Sequence, residues 1–245
     1  MNIVAIIQAR CGSSRFPEKV FAELAQKPLI WHVVNRLRFS TTITDVVLAT
    51  TENPLDEKLY EWAIKNKIKV FRGSENNVLD RYAKASIIFD ADIIIRVTAD
   101  DPFKDPNLID QAVNLLISEK ADFVCNNTPP SYPEGLDVEV FTQEAILRAN
   151  EKANQEFERE HVTQYFYRNP KDFKILNIKN TKDLSHLRWT IDTEADWLMT
   201  RQVYDSLYKN DDEIFYMDNI LNLLHQNPEI AAINSNVSRS FMYKK

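Results

Sequence analysis

The stretch Ile3-Val4-Ala5-Ile6-Ile7-Gln8, running straight into Ala9-Arg10-Cys11-Gly12-Ser13-Ser14-Arg15-Phe16-Pro17-Glu18-Lys19, decides how the rest of the chain is read. The first six residues are apolar on both sides of a two-residue repeat, as a strand covered by helices on both faces requires. The polar loop that follows is therefore placed at the carboxyl end of a buried strand, where open α/β sheets bind ligands. Similar runs recur at 45–50, 69–71, 92–97 and 122–125. Helical patterns separate them. Asn53-Pro54 and Asp105-Pro106 each supply an N-cap followed by proline at the first helical position. Strands alternating with helices imply parallel βαβ units and a doubly wound α/β sheet.

The second half changes pattern. Residues 136–141 read as a strand with Asp137 and Glu139 on one face. Helices are expected at 143–152, 158–167, 194–208 and 217–225, and strands at 173–178 and 186–191. No Gly/Ser-rich linker or repeat interrupts the chain. The expectation is a single domain over 1–245, with an excursion over about 130–185 serving the second substrate and a dimer contact or lid.

Composition bounds the function. The chain has 245 residues, 44% hydrophobic and 27% charged, with a formal net charge of −6. An acidic balance argues against a nucleic-acid partner. Cys11 and Cys125 fit no metal spacing and read as reduced thiols. The N-terminus lacks a basic leader, and no apolar run approaches the roughly 20 residues needed to span a bilayer. A soluble, cytoplasmic protein is expected. Three glycines, Gly12, Gly73 and Gly135, are few where about 7% is usual, so each is expected to hold a loop position that needs it.

Three segments carry chemistry. The 9–19 loop combines a glycine, serines and the cations Arg10, Arg15 and Lys19. It can cradle phosphate oxygens, or be a solvated polar turn. In 93–102, a strand runs through Thr98 into Asp100-Asp101-Pro102. Asp100 suits Mg²⁺, which prefers carboxylate, phosphate and water oxygens, although either aspartate could simply shape the turn. In 187–196, Asp192 again ends a strand pattern. It could cap the next helix, but Thr193-Glu194-Ala195-Asp196 already fits a capping box, which leaves Asp192 to face the cleft as a second metal ligand. Arg72, after a strand, could meet a base or only form a turn. The 132–139 segment, with Glu134 and Glu139, suits sugar hydroxyls. In 158–161, Arg159 and His161 lie on a helix whose default is a solvated face.

Taken together, these segments resemble the cytidylyltransferases that make CMP-activated sugar acids, including the acylneuraminate and Kdo enzymes. The likeness is strongest to the SpsF-like branch of spore-coat polysaccharide biosynthesis. It is carried in order by the A-R-x-G-S-x-R-x-P-x-K pattern of 9–19, FRGSENNVLDRY at 71–82, RVTADDP at 96–102, YPEGLDVEVF at 132–141, EREHVTQYF at 158–166 and LSHLRWTIDTEAD at 184–196. NPEIAAIN at 227–234 also fits. The resemblance implies a GT-A-like, Rossmann-related, mostly parallel sheet flanked by helices, and a homodimer. It implies CTP as donor, Mg²⁺ as cofactor and transfer of CMP to a sugar or sugar-like acid with release of pyrophosphate.

Carried over by position, Ala9, Arg10, Gly12, Ser13, Arg15 and Lys19 meet the triphosphate, Arg72 and Thr98 lie toward the base, and Asp100 and Asp192 bind the metal. Arg10, Lys19 and Asp100 carry catalysis. Arg159 or Arg188 would pair with an acceptor carboxylate, while His161, Glu134 or Glu139 orient the acceptor. The sequence departs from the pattern at Glu18 and Ala99, both frequent glycines, at Thr98, where Kdo enzymes carry glutamine, and at Asp101-Pro102-Phe103, where the branch carries Cys-Pro-Leu. The alternatives are a GT-A glycosyltransferase using a nucleotide sugar, for which Asp100-Asp101 lacks the D-x-D spacer, and a non-catalytic nucleotide-binding protein.

Overall fold

In the computed structural model, which describes residues 1–12 and 18–238, the first strand sorts its side chains onto two faces. Ile3, Ala5 and Ile7 join one buried cluster, and Val4 and Ile6 join another on the opposite face. Both faces of the sheet are therefore covered, as the doubly apolar runs predict.

The chain begins with β1 (Ile3–Gln8), a 3₁₀ turn at Lys19–Phe21, and a small hairpin of β2 (Glu23–Leu24) and β3 (Lys27–Pro28). Then come α1 (Leu29–Leu37), β4 (Asp45–Thr51), α2 (Glu57–Lys65), β5 (Lys69–Gly73), α3 (Val78–Ile88), β6 (Ile93–Thr98) and α4 (Pro106–Glu119). The later part holds β7 (Phe123–Cys125), β8 (Glu139–Thr142), α5 (Gln143–Lys152), α6 (Glu156–Glu160), α7 (Gln164–Arg168) and β9 (Ile175–Asn177). Helices α8 (Glu194–Leu207), α9 (Met217–Gln226) and α10 (Pro228–Ala232) complete it.

Seven strands form one sheet in the order β5-β4-β1-β6-β8-β7-β9. Only β8 runs against its neighbours; the pairs β4–β5, β1–β4, β1–β6 and β7–β9 are parallel. The expected α/β sheet, mostly parallel and flanked by helices, is what the chain forms. The predicted caps also form: Asn53 accepts from the Leu55 N–H, Asp105 from the Asn107 N–H, and Thr193 closes a capping box with Asp196.

Two expectations are corrected. Residues 186–191 are not a strand; the stretch meets its neighbour only through an isolated parallel bridge between Glu134 and Arg188. Gly135 makes that approach possible. Its φ is +102°, and a Cβ there would lie 2.7 Å from the backbone of Trp189 and Thr190, so a side chain is excluded both by conformation and by contact. The single helix expected at 158–167 is two short helices, α6 and α7, broken where Val162 takes a left-handed φ of 54°. A β-branched residue there is strained. The break turns Thr163 and Tyr167 onto Glu139, whose Oε1 lies 2.8 and 2.7 Å from their hydroxyls. Among the described residues no helix is long and apolar enough to cross a membrane.

Candidate active site

The chain leaves β1 for β4 and β5 on one side, then returns through α3 to β6 on the other. The crevice between β1 and β6 is thus the switch point at which open α/β sheets hold ligands. Gln8 and Thr98 stand in register at its edge, and the Ala99 N–H donates to the Gln8 carbonyl at 3.3 Å. The loops after both strands therefore start side by side.

Lys19 connects them to a third segment. Glu18, in a left-handed conformation at the start of the 3₁₀ turn of Lys19, donates its N–H to the Cys11 carbonyl. The Lys19 ammonium then donates to Asp100 Oδ2 at 2.9 Å and to the Ile191 carbonyl at 2.7 Å, and lies 3.6 Å from Asp192 Oδ1. The Ile191 N–H donates to the Asp100 carbonyl at 3.0 Å and locks the two aspartate-bearing segments together. Asp100 and Asp192, remote in sequence, therefore face one point from two loop ends. Burial raises the Asp100 carboxyl, but the charge and hydrogen bond of Lys19 outweigh it and hold it below the usual carboxylate range. Burial likewise lowers Lys19, and Asp100 with Asp192 more than reverses that. Among the described residues no group of three or more His, Cys, Asp or Glu side chains forms a ready metal cage; the acidic pair at this point has two members and a carbonyl oxygen.

Asp101 is committed elsewhere. It is 2.9 Å from the Lys104 ammonium and accepts from the Thr98 hydroxyl at 2.6 Å, so Thr98 is turned toward this turn. Lys104 in turn donates to the Asp137 carbonyl.

On the other side of the crevice the cations are more open. Arg10 lies 3.3 Å from Glu75, with 47% of its side chain exposed. Arg72 donates to Glu57 at 2.5 Å and to the Thr51 carbonyl at 3.0 Å, with its guanidinium 5.3 Å from the Tyr60 ring centre. Ala9 is buried. A Cβ on Gly12 would meet nothing within 4 Å among the described residues. Ser13 and Arg15 lie outside the described residues. The Cys11 N–H donates to Asp56 at 2.6 Å, and burial together with the Asp56 charge pushes its thiol up to about 11.

A cleft of about 150 Å³ opens beside the aspartates, and Asp100, Asp192, Glu134, Glu139, Arg96 and Lys104 are in its walls. Glu139 is buried; although burial raises its carboxyl, the Arg96 guanidinium and the Tyr167 and Thr163 hydroxyls hold it low. The two arginines expected to meet an acceptor carboxylate are placed differently. Arg159 donates to the Ala153 carbonyl at 2.6 Å and does not line the cleft. Arg188 is buried among Glu134, Asp192 and Asp196, at 2.8 to 2.9 Å. His161, outside the cleft walls, packs edge-on against Phe157, and burial lowers its pKa. Sequence reasoning passed over Arg96 and Lys104. An arginine inside the otherwise apolar 93–97 run was the available signal for the first.

The chain is similar to known proteins over nearly its whole length. The cytidylyltransferase family model matches residues 4–230. The chain is 37% identical to an uncharacterized protein of Methanocaldococcus jannaschii, over 97% of this chain and 96% of that one. It is 31% identical to the spore coat polysaccharide biosynthesis protein SpsF of Bacillus subtilis, over 94% and 97% of the two chains. Among solved structures, a cytidylyltransferase from Leptospira borgpetersenii superposes with a TM-score of 0.89 at 31% identity, covering 98% of this chain and 99% of that one. Matches of this length, on a sheet whose switch point gathers the lysine and both aspartates, leave one conclusion: the chain belongs to the cytidylyltransferase family.

Proposed function

We propose that this protein transfers CMP from CTP to a sugar or sugar-like acid, releasing pyrophosphate, in the assembly of a surface polysaccharide or glycan. The observation that carries the reading is the convergence of Asp100, Asp192 and Lys19 on one point at the sheet's switch point.

The residues present suit a divalent cation. Two carboxylates and the Ile191 carbonyl already surround a positive charge, the Lys19 ammonium, which stands in for one. Hard oxygen donors of this kind match Mg²⁺. Asp100 and Asp192 would hold it, and it would supply neutralisation of the triphosphate and of the departing pyrophosphate. Lys19 then exchanges its carboxylate partners for phosphate oxygens.

The remaining roles rest on the family resemblance. Ala9, Arg10 and Gly12 are assigned to the triphosphate, as are Ser13 and Arg15, which lie outside the described residues. Arg72 and Thr98 flank the side assigned to the base. An acceptor hydroxyl attacks the α-phosphorus in line; the new O–P bond forms as the bond to the bridging oxygen breaks. Such chemistry asks for positioning and charge stabilisation rather than a covalent protein nucleophile. Glu134 and Glu139 in the cleft define the acceptor side, to which His161 is assigned by resemblance alone.

The whole chain, 1–245, works as one domain in this reading, with 130–185 as the acceptor and homodimer region. The buried thiols of Cys11 and Cys125 support a cytoplasmic enzyme. The test is pyrophosphate release from CTP across a panel of sugar acids. Turnover with at least one acid, lost in Asp100→Ala and Asp192→Ala, is expected; CTP binding without turnover on any acceptor would remove the enzymatic reading.

A further inference from the structure

Arg188 is only 8% exposed, and its guanidinium is used on every edge. Nε and Nη2 donate to the two oxygens of Asp196 at 2.9 and 3.2 Å. Nη1 donates to Glu134 Oε2 at 2.8 Å, and Nη2 also reaches Asp192 Oδ2 at 2.9 Å. The three carboxylates come from three places: the loop before β8, the turn before α8, and the first turn of α8.

For Asp192 the result is a division of labour between its oxygens. Oδ2 is tied to Arg188, while Oδ1 faces Lys19 at 3.6 Å and so faces Asp100. The Asp192 N–H donates to Asp196 Oδ2 at 3.0 Å, so the backbone and side chain of Asp192 are referred to one anchor. Behind that anchor, Asn234 Nδ2 donates to the Arg188 carbonyl and to Asp196 Oδ1, both at 2.9 Å.

We infer that Arg188 is a positioning residue for cytidylyl transfer: acting through Asp192, it fixes which carboxylate oxygen faces the cation that accompanies the triphosphate. This rests on the assignment of Asp100 and Asp192 as the metal pair. A carboxylate turns easily about its last bond, so an untethered Asp192 would spend part of its time presenting the wrong oxygen. Partners behind a metal ligand remove that freedom, and losing one typically costs 10–100-fold in metal affinity. A planar fork grips both oxygens of Asp196 while reaching Glu134 and Asp192 in fixed directions; a lysine ammonium is a point charge on a flexible stem and lacks that fixed geometry. The same geometry explains why Arg188 does not serve the acceptor: it is buried, and four of its five N–H groups are already taken by carboxylates.

The experiment compares the full-length protein with Arg188→Lys, Asn234→Ala and Asp192→Ala. Mn²⁺ binding is read by EPR in the presence of a non-hydrolysable CTP analogue, and the metal dependence of turnover is read alongside it. Arg188→Lys keeps the charge and loses the fork. It is expected to weaken Mn²⁺ binding, and raise the half-saturating metal concentration, by about tenfold or more. Turnover at saturating metal and KM for the acceptor should stay within about threefold, a split that general loosening of the fold would not produce. Asn234→Ala should move metal binding the same way by a smaller factor, and it decides the matter if Arg188→Lys does not fold. Unchanged Mn²⁺ affinity in the folded variant overturns the inference, as does a rise in acceptor KM alone. Unchanged Mn²⁺ binding in Asp192→Ala would instead overturn the metal assignment, and the inference with it.

Discussion

The two walls of the crevice are built on opposite principles. On the loop wall, Arg10 and Arg72 each meet one partly exposed glutamate, Glu75 and Glu57. On the aspartate wall, Asp192 belongs to a buried network in which Arg188 holds Glu134, Asp192 and Asp196 together. Exposed pairs contribute about 0–1 kcal/mol and are readily exchanged. Breaking a buried pair by removing one partner costs about 3–5 kcal/mol. The difference teaches how the site divides its work. The aspartate wall is set in advance, and in the proposed reading the loop wall leaves its cations with glutamates until phosphates arrive.

The strongest way to break that contrast is at its centre. Asp100→Ala and Asp192→Ala should each lower pyrophosphate release by about 10³-fold or more, since in the proposed reading both hold the cation that neutralises the triphosphate. Asp100→Ala activity within tenfold of the parent would take that residue out of the metal site.

Lys19→Met probes the hinge between the walls. Without its resident ammonium, the carboxylate pair should bind Mn²⁺ about tenfold more tightly in the absence of nucleotide, a difference of about 1.4 kcal/mol, while turnover falls. Calorimetric titration of the nucleotide-free protein reads this directly. Equal or weaker binding would mean that Lys19 does not stand where the cation goes.

On the loop wall, Arg10→Ala should raise KM for CTP about tenfold, the effect of losing one charge-assisted contact. Its stability should shift by less than about 1 kcal/mol. A large fall in melting temperature would show that the Arg10–Glu75 pair is structural and that the contrast is overdrawn.

The smallest effect is in pH. Desolvation raises half-buried Asp100 and buried Glu139 and Asp196, and all three are held below the usual range by Lys19, Arg96 and Arg188 respectively. Groups lowered in the folded state contribute stability that is complete above their unfolded values and is lost as pH falls through the folded ones. Urea midpoints should therefore be level above about pH 5 and decline below about pH 4. Asp196→Asn should start from a lower midpoint and show a shallower decline. An equally steep decline would mean that the aspartate wall does not titrate as described.

Much of this was readable in advance, and the failures share a cause. The parallel strands were legible because burial on both faces forces a near-continuous Val/Ile run. That Asp100 and Asp192 face one point was legible because a better-placed residue already capped each following helix, Asp105 in one case and Thr193 in the other. What escaped was set by contacts between distant segments. Leu187-Arg188-Trp189-Thr190-Ile191 alternates like a strand, yet its position is set by Gly135 and its arginine by Glu134. The 158–167 helix looks continuous, yet Glu139 from β8 draws Thr163 and Tyr167 out of line. Arg188 looked like a substrate ligand because a sequence displays its charge and not the three carboxylates that consume it.

The place of Lys19 carries a consequence for the order of events. A resting enzyme whose carboxylate pair is filled by its own side chain presents a poor target to free cations. In the proposed reading nucleotide and cation then favour each other: phosphates that drew the ammonium away would vacate the position the cation takes. Thermodynamic reciprocity makes the benefit mutual, so whatever factor CTP adds to cation affinity, the cation must add to CTP affinity. Saturation by one should sharpen with the concentration of the other, a cooperativity built from a single lysine and needing no movement of the sheet.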